Sequence, residues 1–328
     1  MAANPIVSVI VITYKQEKFI GHTLESIVSQ KTDFEYEVLV GDDCSPDNTG
    51  KIVKEYAEKY PDLITPFIRE KNLGMTGNMS ELFTHVRGKY VALLEGDDYW
   101  VDEKKLQKQV DFLESHPDYV ACFGNYMVVD ENEVHHPERE HTGTFMHAKG
   151  DYTIKEFEKY IMPGQTATAM YRVVAFGELP KKIIEAQIDP KKMIDRYQIL
   201  CMLSVGKIYT IGEVLAAYRY MTDPSSGSWS SKNEGYNKTN ILNYLDGMKD
   251  MERIAKALGM ELNFDEHRKY ELIKFINNKK QLPKKDAKEI KKAFINDSND
   301  KTSMRLHYIR KSLGKIKRGI KYKLKRKK

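Results

Sequence analysis

The sequence predicts an α/β fold in which a mostly parallel sheet is flanked by helices and followed by a helical C-terminal extension. Two observations carry the sheet: continuous apolar runs at residues 6–13 and 89–95, and helical periodicity between the strand candidates. A short run that is apolar on both sides is typical of a strand buried on both faces of a parallel sheet. Strands alternating with amphipathic helices indicate a doubly wound sheet. Beyond residue 236 the periodicity is helical throughout, which predicts the extension.

The individual elements follow in order along the chain. After the first strand, Leu24 and its apolar neighbours predict a helix, and Asp47 to Thr49 are favourable N-cap residues for another. A third helix is predicted around Val110, and Gly259 is a natural C-cap for a helix that starts after residue 236. Residues 132–150 are predicted to form a loop. The strands are predicted at residues 6–13, 37–41, 64–69, 89–95, 120–129, 167–172 and 207–211.

Composition indicates a globular protein without a disulfide framework. Of 328 residues, 41% are hydrophobic and 30% are charged, and three scattered cysteines lack metal-ligand spacing. No apolar run approaches the ~20 residues that cross a bilayer, and the first residues, MAANP, lack the features of a signal peptide. We therefore expect a cytoplasmic protein.

Charge is distributed unevenly along the chain. Residues 301–328 contain thirteen Lys or Arg and no Asp or Glu, whereas the first 300 residues contain 40 basic and 47 acidic residues. Apolar residues repeat every three or four positions through this basic tail: Leu306, Ile309, Leu313, Ile316, Ile320 and Leu324. Such a helix is typical of peripheral binding to an anionic membrane, here the inner face of the cell membrane. A helix docked on the body and a disordered tail are the alternatives.

The predicted sheet carries acidic residues at its carboxyl edge. The chain has neither a glycine-rich dinucleotide fingerprint nor a P-loop, so bound phosphates would need a divalent cation held by carboxylates. In the segment LLEGDDYW, Glu95, Asp97 and Asp98 follow an apolar strand, where open α/β sheets bind their ligands. Gly96 permits the turn that would let both aspartates converge. The alternative is a solvated acidic turn.

A second acidic loop, DDCSPDNT, follows the strand at residues 37–41. One carboxylate here could accept a hydrogen bond from a base N–H, as in uracil recognition. Helix capping explains Asp47 to Thr49 but gives no reason for Asp42 and Asp43.

Taken in order, the segments SVIVITYK, VLVGDDCSPDNTGKIV, NLGMTGN and GKYVALLEGDDYW resemble the inverting family 2 glycosyltransferases of the GT-A fold. The resemblance covers roughly residues 6–222. It implies a nucleotide-sugar donor, by preference a UDP-sugar, and Mn²⁺ or Mg²⁺ as cofactor. It also implies a glycan acceptor, lipid-linked where the tail meets the membrane, and a role in surface polysaccharide biosynthesis.

The resemblance divides the chain into three parts. Residues 1–222 would be the catalytic domain, with the nucleotide-sugar portion at 1–100 and the acceptor portion at 101–222. A lid loop and helical extension would occupy residues 223–300, and the basic tail residues 301–328.

Residue by residue, the resemblance implies these roles. Asp97 would lie near the ribose and Asp98 would ligate the metal. Gly77 stands where the family often has arginine, before Asn78. The remaining nucleotide contacts would come from Ile12, Thr13, Tyr14, which stacks on the base, Asp43, which reads uracil, and Asn78.

The same resemblance implies that Asp195 is the catalytic base, since a single displacement with inversion needs a group to take the proton of the attacking hydroxyl. Glu185 and Asp189 are rival carboxylates, and an aspartate that merely caps a helix is the alternative. Tyr218 and Arg219 would begin a mobile loop in which Arg219 clamps the diphosphate, although Met221 replaces the usual histidine. In the segment GQTAT, the residues Gly164, Gln165 and Thr166 would shape the acceptor pocket.

Two other functional classes remain open at this point. A nucleotidyltransferase could use a similar sheet, but that class usually has a glycine-rich loop after the first strand, where residues 14–19 contain no glycine. A nucleic-acid-binding protein could use the basic tail, but no binding module accompanies it and the body is acidic.

Overall fold

The computed structural model describes residues 4–140, 149–175, 195–221 and 236–325, with side chains as far as Leu313. The chain divides into two compact units. The first, which we call the sheet unit, comprises Met1–Glu156 and Ile161–Ser231. The second, the helical unit, comprises Phe157–Tyr160 and Lys232–Lys328.

Nine strands within the described residues form one mixed sheet. Its order is β3-β2-β1-β4-β8-β6-β9-β5, and β7 pairs with β9. The first four strands are mutually parallel and β6 is parallel to β9, whereas β5, β7 and β8 pair in antiparallel fashion. The strands are β1 Val7–Thr13, β2 Tyr36–Asp42, β3 Ile64–Ile68, β4 Tyr90–Glu95, β5 Tyr99–Trp100, β6 Tyr119–Val129, β7 Gly150–Tyr152, β8 Met170–Arg172 and β9 Lys207–Arg219. The prediction of a mostly parallel sheet flanked by helices is confirmed.

Helices cover both faces of this sheet. Every residue of β1 is buried, because its faces are covered by apolar side chains from the surrounding helices. Helix α1 contributes Leu24 and helix α4 contributes Leu113, both inaccessible to solvent. As far as Val205 the described helices are α1 Ile20–Val28, α2 Thr49–Lys59, α3 Gly74–Phe83, α4 Lys105–Ser115, α5 Pro137–Glu140, α6 Ile154–Glu158 and α7 Asp195–Val205.

Several elements differ from their sequence prediction, among them the helix α5, which lies inside the loop predicted at residues 132–150. Strand β9 continues to Arg219 instead of ending at residue 211, because irregular pairing with β6 accommodates the polar break at Gly212 and Glu213. Helix α3 was missed, since its sequence GMTGNMSELF carries two glycines and little apolar periodicity. The strand predicted at residues 167–172 is shorter, because Thr166–Thr168 forms a 3-10 helix before β8.

The helical unit consists of α8 Lys238–Ala257, α9 Asp265–Asn278, α10 Lys284–Asn296 and α11 Lys301–Lys325, with a 3-10 turn at Lys279–Gln281. Leu245, Phe275 and Phe294 are among its buried residues. The C-cap prediction for Gly259 is confirmed, since this residue follows α8 with φ +75°. Arg268 is fully buried and pairs with Glu252 at 2.7 Å and Asp265 at 3.1 Å.

The basic tail is helical, as its periodicity predicted, but its start belongs to the core of the helical unit. Met304 in α11 is completely buried, and α11 packs on α9 and α10. The opposite side of the helix leaves Leu306, Ile309 and Leu313 between 52% and 62% exposed. Membrane binding by the tail stays a prediction. No helix in the described part of the chain combines the length and apolar character needed to span a membrane.

Candidate active site at the carboxyl edge of the sheet

The acidic segment Glu95 to Asp98 lies beside the end of β1. Strands β1 and β4 are parallel and pair Ile12 with Glu95, so both end at the same edge of the sheet. A Cβ atom on Gly96 would come within 2.7 Å of the Thr13 Cβ and 2.5 Å of the Gln16 Oε1. Glycine is therefore required here for close approach to β1, a reason that the sequence alone did not reveal.

The carboxyl groups in this segment raise one another's pKa. Burial raises the pKa of Glu95 to about 8, and the charges of Asp195 and Asp97 add to the effect. Burial and the neighbouring charges of Asp97 and Glu95 hold the pKa of Asp98 well above its usual range. Desolvation also raises the pKa of Asp97. Anionic carboxylates at this edge therefore repel one another, and a cation would relieve that repulsion.

Asp98, for which metal ligation was predicted, has both carboxylate oxygens occupied by protein donors. Its Oδ1 accepts a hydrogen bond from the Arg219 backbone N–H at 2.8 Å, and its Oδ2 accepts one from Gln165 Nε2 at 3.2 Å. Only 2% of the residue is exposed. Metal ligation by Asp98 stays a prediction; in this structure its carboxylate ties β9 and the GQTAT segment to the acidic segment.

Asp97 is the more accessible of the two aspartates, being only partly buried. Its carboxylate is hydrogen-bonded by the Gln16 side chain, and both this bond and the positive charge of Arg219 oppose the desolvation that raises the pKa of Asp97. Gln16 was not singled out from the sequence, because a lone polar residue in a loop carries no distinguishing pattern. It also accepts the Thr13 hydroxyl at 2.7 Å, so it links the end of β1 to Asp97.

Arg219, the predicted diphosphate clamp, is 2% exposed, and its side chain donates three hydrogen bonds to protein oxygens. Its Nε donates to the Asp97 carbonyl at 2.8 Å, and its two terminal nitrogens donate to the Asp130 carbonyl and the Glu133 carboxylate at 3.0 and 3.1 Å. The guanidinium also lies 4.4 Å from the Phe19 ring centre. These contacts hold Arg219 against the acidic segment and the loop after β6, and its role as a diphosphate clamp stays a prediction.

Asp195 lies at the first position of α7, close to the acidic turn. Asp195 is exposed to solvent, yet desolvation by the surrounding protein raises its pKa. The Thr166 hydroxyl is hydrogen-bonded to this carboxylate, and the Asp195 charge raises the pKa of Glu95. The structure thus brings together three residues predicted separately: the candidate base, Thr166 of the candidate acceptor pocket, and the end of β4.

The other two residues of the candidate acceptor pocket are buried. Gln165 is 9% exposed; besides its bond to Asp98, its Oε1 accepts the Ala167 backbone N–H at 2.5 Å. A Cβ atom on Gly164 would lie 2.7 Å from the Gly124 carbonyl oxygen. Both residues therefore shape the backbone beneath Thr166, and of the three Thr166 is the one with a partly exposed side chain.

Asp43, the predicted reader of uracil, holds the start of α3. Its Oδ1 accepts the Leu73 N–H at 2.7 Å and its Oδ2 accepts the Gly74 N–H at 2.9 Å. The residue is 4% exposed. Asp43 therefore caps a helix, a role that the sequence analysis gave only to Asp47 to Thr49. Recognition of the base by Asp43 stays a prediction.

The remaining nucleotide candidates divide into buried and exposed residues. Asn78 is 1% exposed and donates to the Gly41 carbonyl at 2.7 Å while accepting from Arg69 Nε at 3.3 Å, so its contacts join α3 to β2. Ile12 and Thr13 are 8% and 3% exposed at the end of β1. Tyr14 is 42% exposed, so its ring remains available for stacking.

Some predicted features lie outside the described residues. These are the rival carboxylates Glu185 and Asp189 and the lid segment at 223–231. In the part of the chain that the structure describes, no three His, Cys, Asp or Glu side chains form a ready-made metal site.

The donor set at the edge nevertheless fits a hard divalent cation. Carboxylate oxygens are what Mg²⁺ and Mn²⁺ prefer, and such ions commonly use one or two carboxylates together with substrate phosphates. Glu95 Oε2 is buried and has no hydrogen-bond partner among the described residues. A carboxyl oxygen without a partner beside Asp97 is the kind of group that a cation would satisfy, because a bound cation favours the ionised form.

Comparisons with known proteins give this edge a context. Residues 8–179 match the family described as "Glycosyl transferase family 2". The uncharacterized protein Rv1520 of Mycobacterium tuberculosis is 42% identical over 125 residues, which cover 38% of this chain and 36% of that protein. This chain therefore aligns with only about a third of that relative's length.

Two further similarities extend over more of the chain. The putative teichuronic acid biosynthesis glycosyltransferase TuaG of Bacillus subtilis is 27% identical over 230 residues, covering 70% of this chain and 84% of that protein. The crystal structure of Staphylococcus aureus TarS 1–349 in complex with UDP-GlcNAc aligns with a TM-score of 0.62 at 17% identity, covering 93% of this chain and 89% of that one. The second similarity concerns the fold, which is GT-A. Because the family match extends over more than half of the 328 residues, the chain belongs to glycosyl transferase family 2.

Proposed function

We propose that this chain is an inverting, metal-dependent glycosyltransferase that moves a sugar from a UDP-sugar to a glycan acceptor in surface polysaccharide biosynthesis. The observation that carries the proposal is the proximity of the Asp195 carboxylate to Thr166 and to Glu95 at the carboxyl edge of the sheet. This edge is where open α/β sheets bind their ligands. Support for the pathway comes from the similarity to TuaG, a teichuronic acid biosynthesis glycosyltransferase, and support for the nucleotide from the UDP-GlcNAc bound to TarS.

In this mechanism Asp195 is the general base. Its carboxylate takes the proton from the acceptor hydroxyl as that oxygen attacks the anomeric carbon, and inversion follows from the single displacement. Desolvation raises the pKa of Asp195, which makes the carboxylate a better proton acceptor near neutral pH. The hydrogen bond from Thr166 fixes the orientation of the carboxylate, so Thr166 acts as a positioning residue.

We assign the metal-binding role to Asp97, assisted by Glu95, rather than to Asp98. Asp97 is partly exposed and Glu95 has an oxygen without a partner among the described residues, whereas Asp98 is 2% exposed with both oxygens occupied. When bound, Mn²⁺ or Mg²⁺ supplies positive charge to the departing diphosphate. Gln16 orients the Asp97 carboxylate, and Tyr14 offers an exposed ring on which the base stacks.

We further propose that α11 binds the cytoplasmic face of an anionic membrane, where a lipid-linked acceptor would be encountered. Leu306, Ile309 and Leu313 are exposed on one side of α11, and residues 301–328 contain thirteen basic residues and no acidic ones. Each basic residue near an anionic surface contributes about 1 kcal/mol. The apolar side chains would enter the interface while the basic ones contact lipid headgroups.

A comparison of Asp97→Asn with Asp98→Asn tests the site. With a panel of radiolabelled nucleotide sugars and Mn²⁺, the wild-type chain should hydrolyse or transfer one donor, and EDTA should abolish this turnover. Asp97→Asn should lose turnover and the Mn²⁺-induced rise in melting temperature, while its fold is retained. Asp98→Asn should mainly lower the melting temperature, because it weakens the bonds to Arg219 and Gln165. Full activity in EDTA would refute the metal role.

A further inference from the structure

The helical unit contains a pocket that the proposed reaction does not use. A cavity of about 260 Å³ opens between α8, α9 and α10. Its floor is buried and apolar, formed by Leu245, Phe275 and Phe294, which are no more than 2% exposed. The walls are half-buried and more polar, and they are formed by Tyr236, Asn240, Ile241, Tyr244 and Glu271. The exposed Lys274 lies at the rim.

One polar atom of a residue that lines this pocket has no hydrogen-bond partner among the described residues. The Tyr236 hydroxyl is buried and makes no hydrogen bond to any described residue. Burial raises the pKa of the Tyr236 phenol, and the negative charge of the nearby Glu271 raises it further. Buried polar groups are almost always hydrogen-bonded, so a hydroxyl without a partner on a residue that lines a pocket is a candidate to bind a polar ligand there.

The walls are held in place before any ligand binds. The Tyr244 hydroxyl is hydrogen-bonded to His267 Nε2 at 2.8 Å, and the His267 ring stacks on Tyr160 with a centroid separation of 4.8 Å. Glu271 is paired with Lys274 at 2.7 Å. Aromatic rings fixed in this way lose little conformational freedom on binding, which favours recognition of a ligand with a defined shape.

We propose that this pocket binds one pyranose ring of a saccharide. A sugar ring has an apolar face of C–H groups, which matches the aromatic side chains, and an edge of hydroxyls, which matches Tyr236 and Glu271. A volume below the ~300–1,000 Å³ of typical ligand pockets suits a single ring. A quaternary ammonium fits less well, because the Lys274 ammonium stands at the rim. An acyl chain would leave the Tyr236 hydroxyl without a partner.

The assignment of this sugar rests on the proposed function. If the chain extends a glycan, the pocket binds a unit of the acceptor, and holding the acceptor on the same chain raises its effective concentration for transfer. The pocket then contributes to acceptor affinity, so it should affect KM for long acceptors and leave kcat and donor binding unchanged.

Ligand-observed NMR on the full-length chain tests the pocket directly. The probes are methyl glycosides of glucose, galactose, mannose and N-acetylglucosamine, with tetramethylammonium and hexanoate as competing classes. At least one glycoside should bind with a Kd on the order of 1 mM. Tyr236→Phe and Glu271→Gln should each weaken this binding about fivefold or more. The matched control Tyr270→Phe removes a hydroxyl from an exposed tyrosine of α9, the helix that carries Glu271, and should leave glycoside binding unchanged.

Each outcome separates this inference from the proposed function, because UDP binding is measured in parallel by calorimetry. Glycoside binding that survives Tyr236→Phe, binding of tetramethylammonium or hexanoate alone, or no binding at all would overturn the pocket assignment while leaving UDP binding intact. Glycoside binding that depends on Tyr236 in a chain that neither binds UDP nor transfers sugar would support the pocket and refute the proposed function. Tyr236→Phe should fold normally, since it removes an unsatisfied hydroxyl and keeps the ring.

Discussion

Lys105 is a buried amine whose pKa should make the stability of the sheet unit depend on pH. It is fully inaccessible to solvent, its Nζ donates to Gln109 Oε1 at 2.7 Å, and it lies 4.3 Å from the centre of the Trp100 ring. Burial lowers the pKa of Lys105 to about 7 from 10.5. Between these two values the unfolded chain carries a proton that the folded chain does not, so the free energy of unfolding rises with pH over this window.

The size of the effect follows from the same two values. A pKa difference of about 3.5 corresponds to about 5 kcal/mol, which is the full contribution lost as pH falls from above 10.5 to below 7. Between pH 7 and pH 9 the contribution should change by about 2 kcal/mol. The variant Lys105→Met has a side chain of similar length that cannot titrate, so this part of the pH dependence should disappear. The substitution also removes the hydrogen-bond donor of Gln109 Oε1. This loss should lower the free energy of unfolding by about 1–3 kcal/mol at every pH.

Urea denaturation of wild type and Lys105→Met at pH 6, 7, 8 and 9 measures the difference. The wild-type free energy of unfolding should rise relative to that of the variant by about 2 kcal/mol between pH 7 and pH 9. A Trp229→Phe background leaves Trp100 as the remaining one of the chain's two tryptophans, and its emission should change as Lys105 titrates. Parallel pH profiles for the two proteins would show that Lys105 is not neutralised by burial.

Three further predictions concern the site and the tail. Asp195→Asn should reduce kcat by a factor of about 10²–10⁴ in steady-state kinetics, while calorimetry should show that UDP and Mn²⁺ still bind. Wild-type turnover in this variant would transfer the role of base to Glu185, Asp189 or another carboxylate. Asp43→Ala should destabilise the chain by about 1–2 kcal/mol through loss of the cap on α3, and a melting temperature equal to that of wild type would contradict the capping role. Truncation after Leu313 removes nine basic residues but keeps the buried Met304. The shortened chain should therefore lose its salt-sensitive binding to anionic vesicles while the helical unit stays folded. Equal vesicle binding by the full-length and shortened chains would refute membrane association.

The sequence predicted the central parallel strands of the sheet well, because a strand that is buried on both faces has a continuous apolar sequence. The strands at residues 7–13 and 90–95 are continuous apolar runs, and no other local structure accounts for them as simply. Helix α3 was missed because its position depends on contacts distant in sequence: Asp43 caps its start, and Asn78 bonds to the Gly41 carbonyl. Gly41 itself has space for no side chain, since a Cβ would lie 2.3 Å from Asn78 Oδ1.

The sequence located the acidic segment at the carboxyl edge of the sheet, but it did not predict the contacts that its residues make. Motif order located the acidic turn, and the structure brings Asp195 and Thr166 near it. Which of two adjacent aspartates faces solvent was not predictable, because it depends on donors from Gln165 and from the end of β9. The burial of Arg219 was equally hidden, since its acceptors at Asp130 and Glu133 lie in a loop with no pattern of its own.

The backbone carbonyls of residues 96–98 are each constrained by a side chain from another element. The single hydroxyl proton of Thr23 is shared between the carbonyls of Gly96 and Asp98, which lie 2.9 and 2.8 Å from its Oγ1, and Arg219 Nε donates to the carbonyl of Asp97. A backbone held in this way is ordered when the chain folds, so binding a donor sugar need not order it again. Selection for a new sugar specificity should therefore leave residues 96–98 unchanged and find its useful substitutions in side chains that the turn does not depend on.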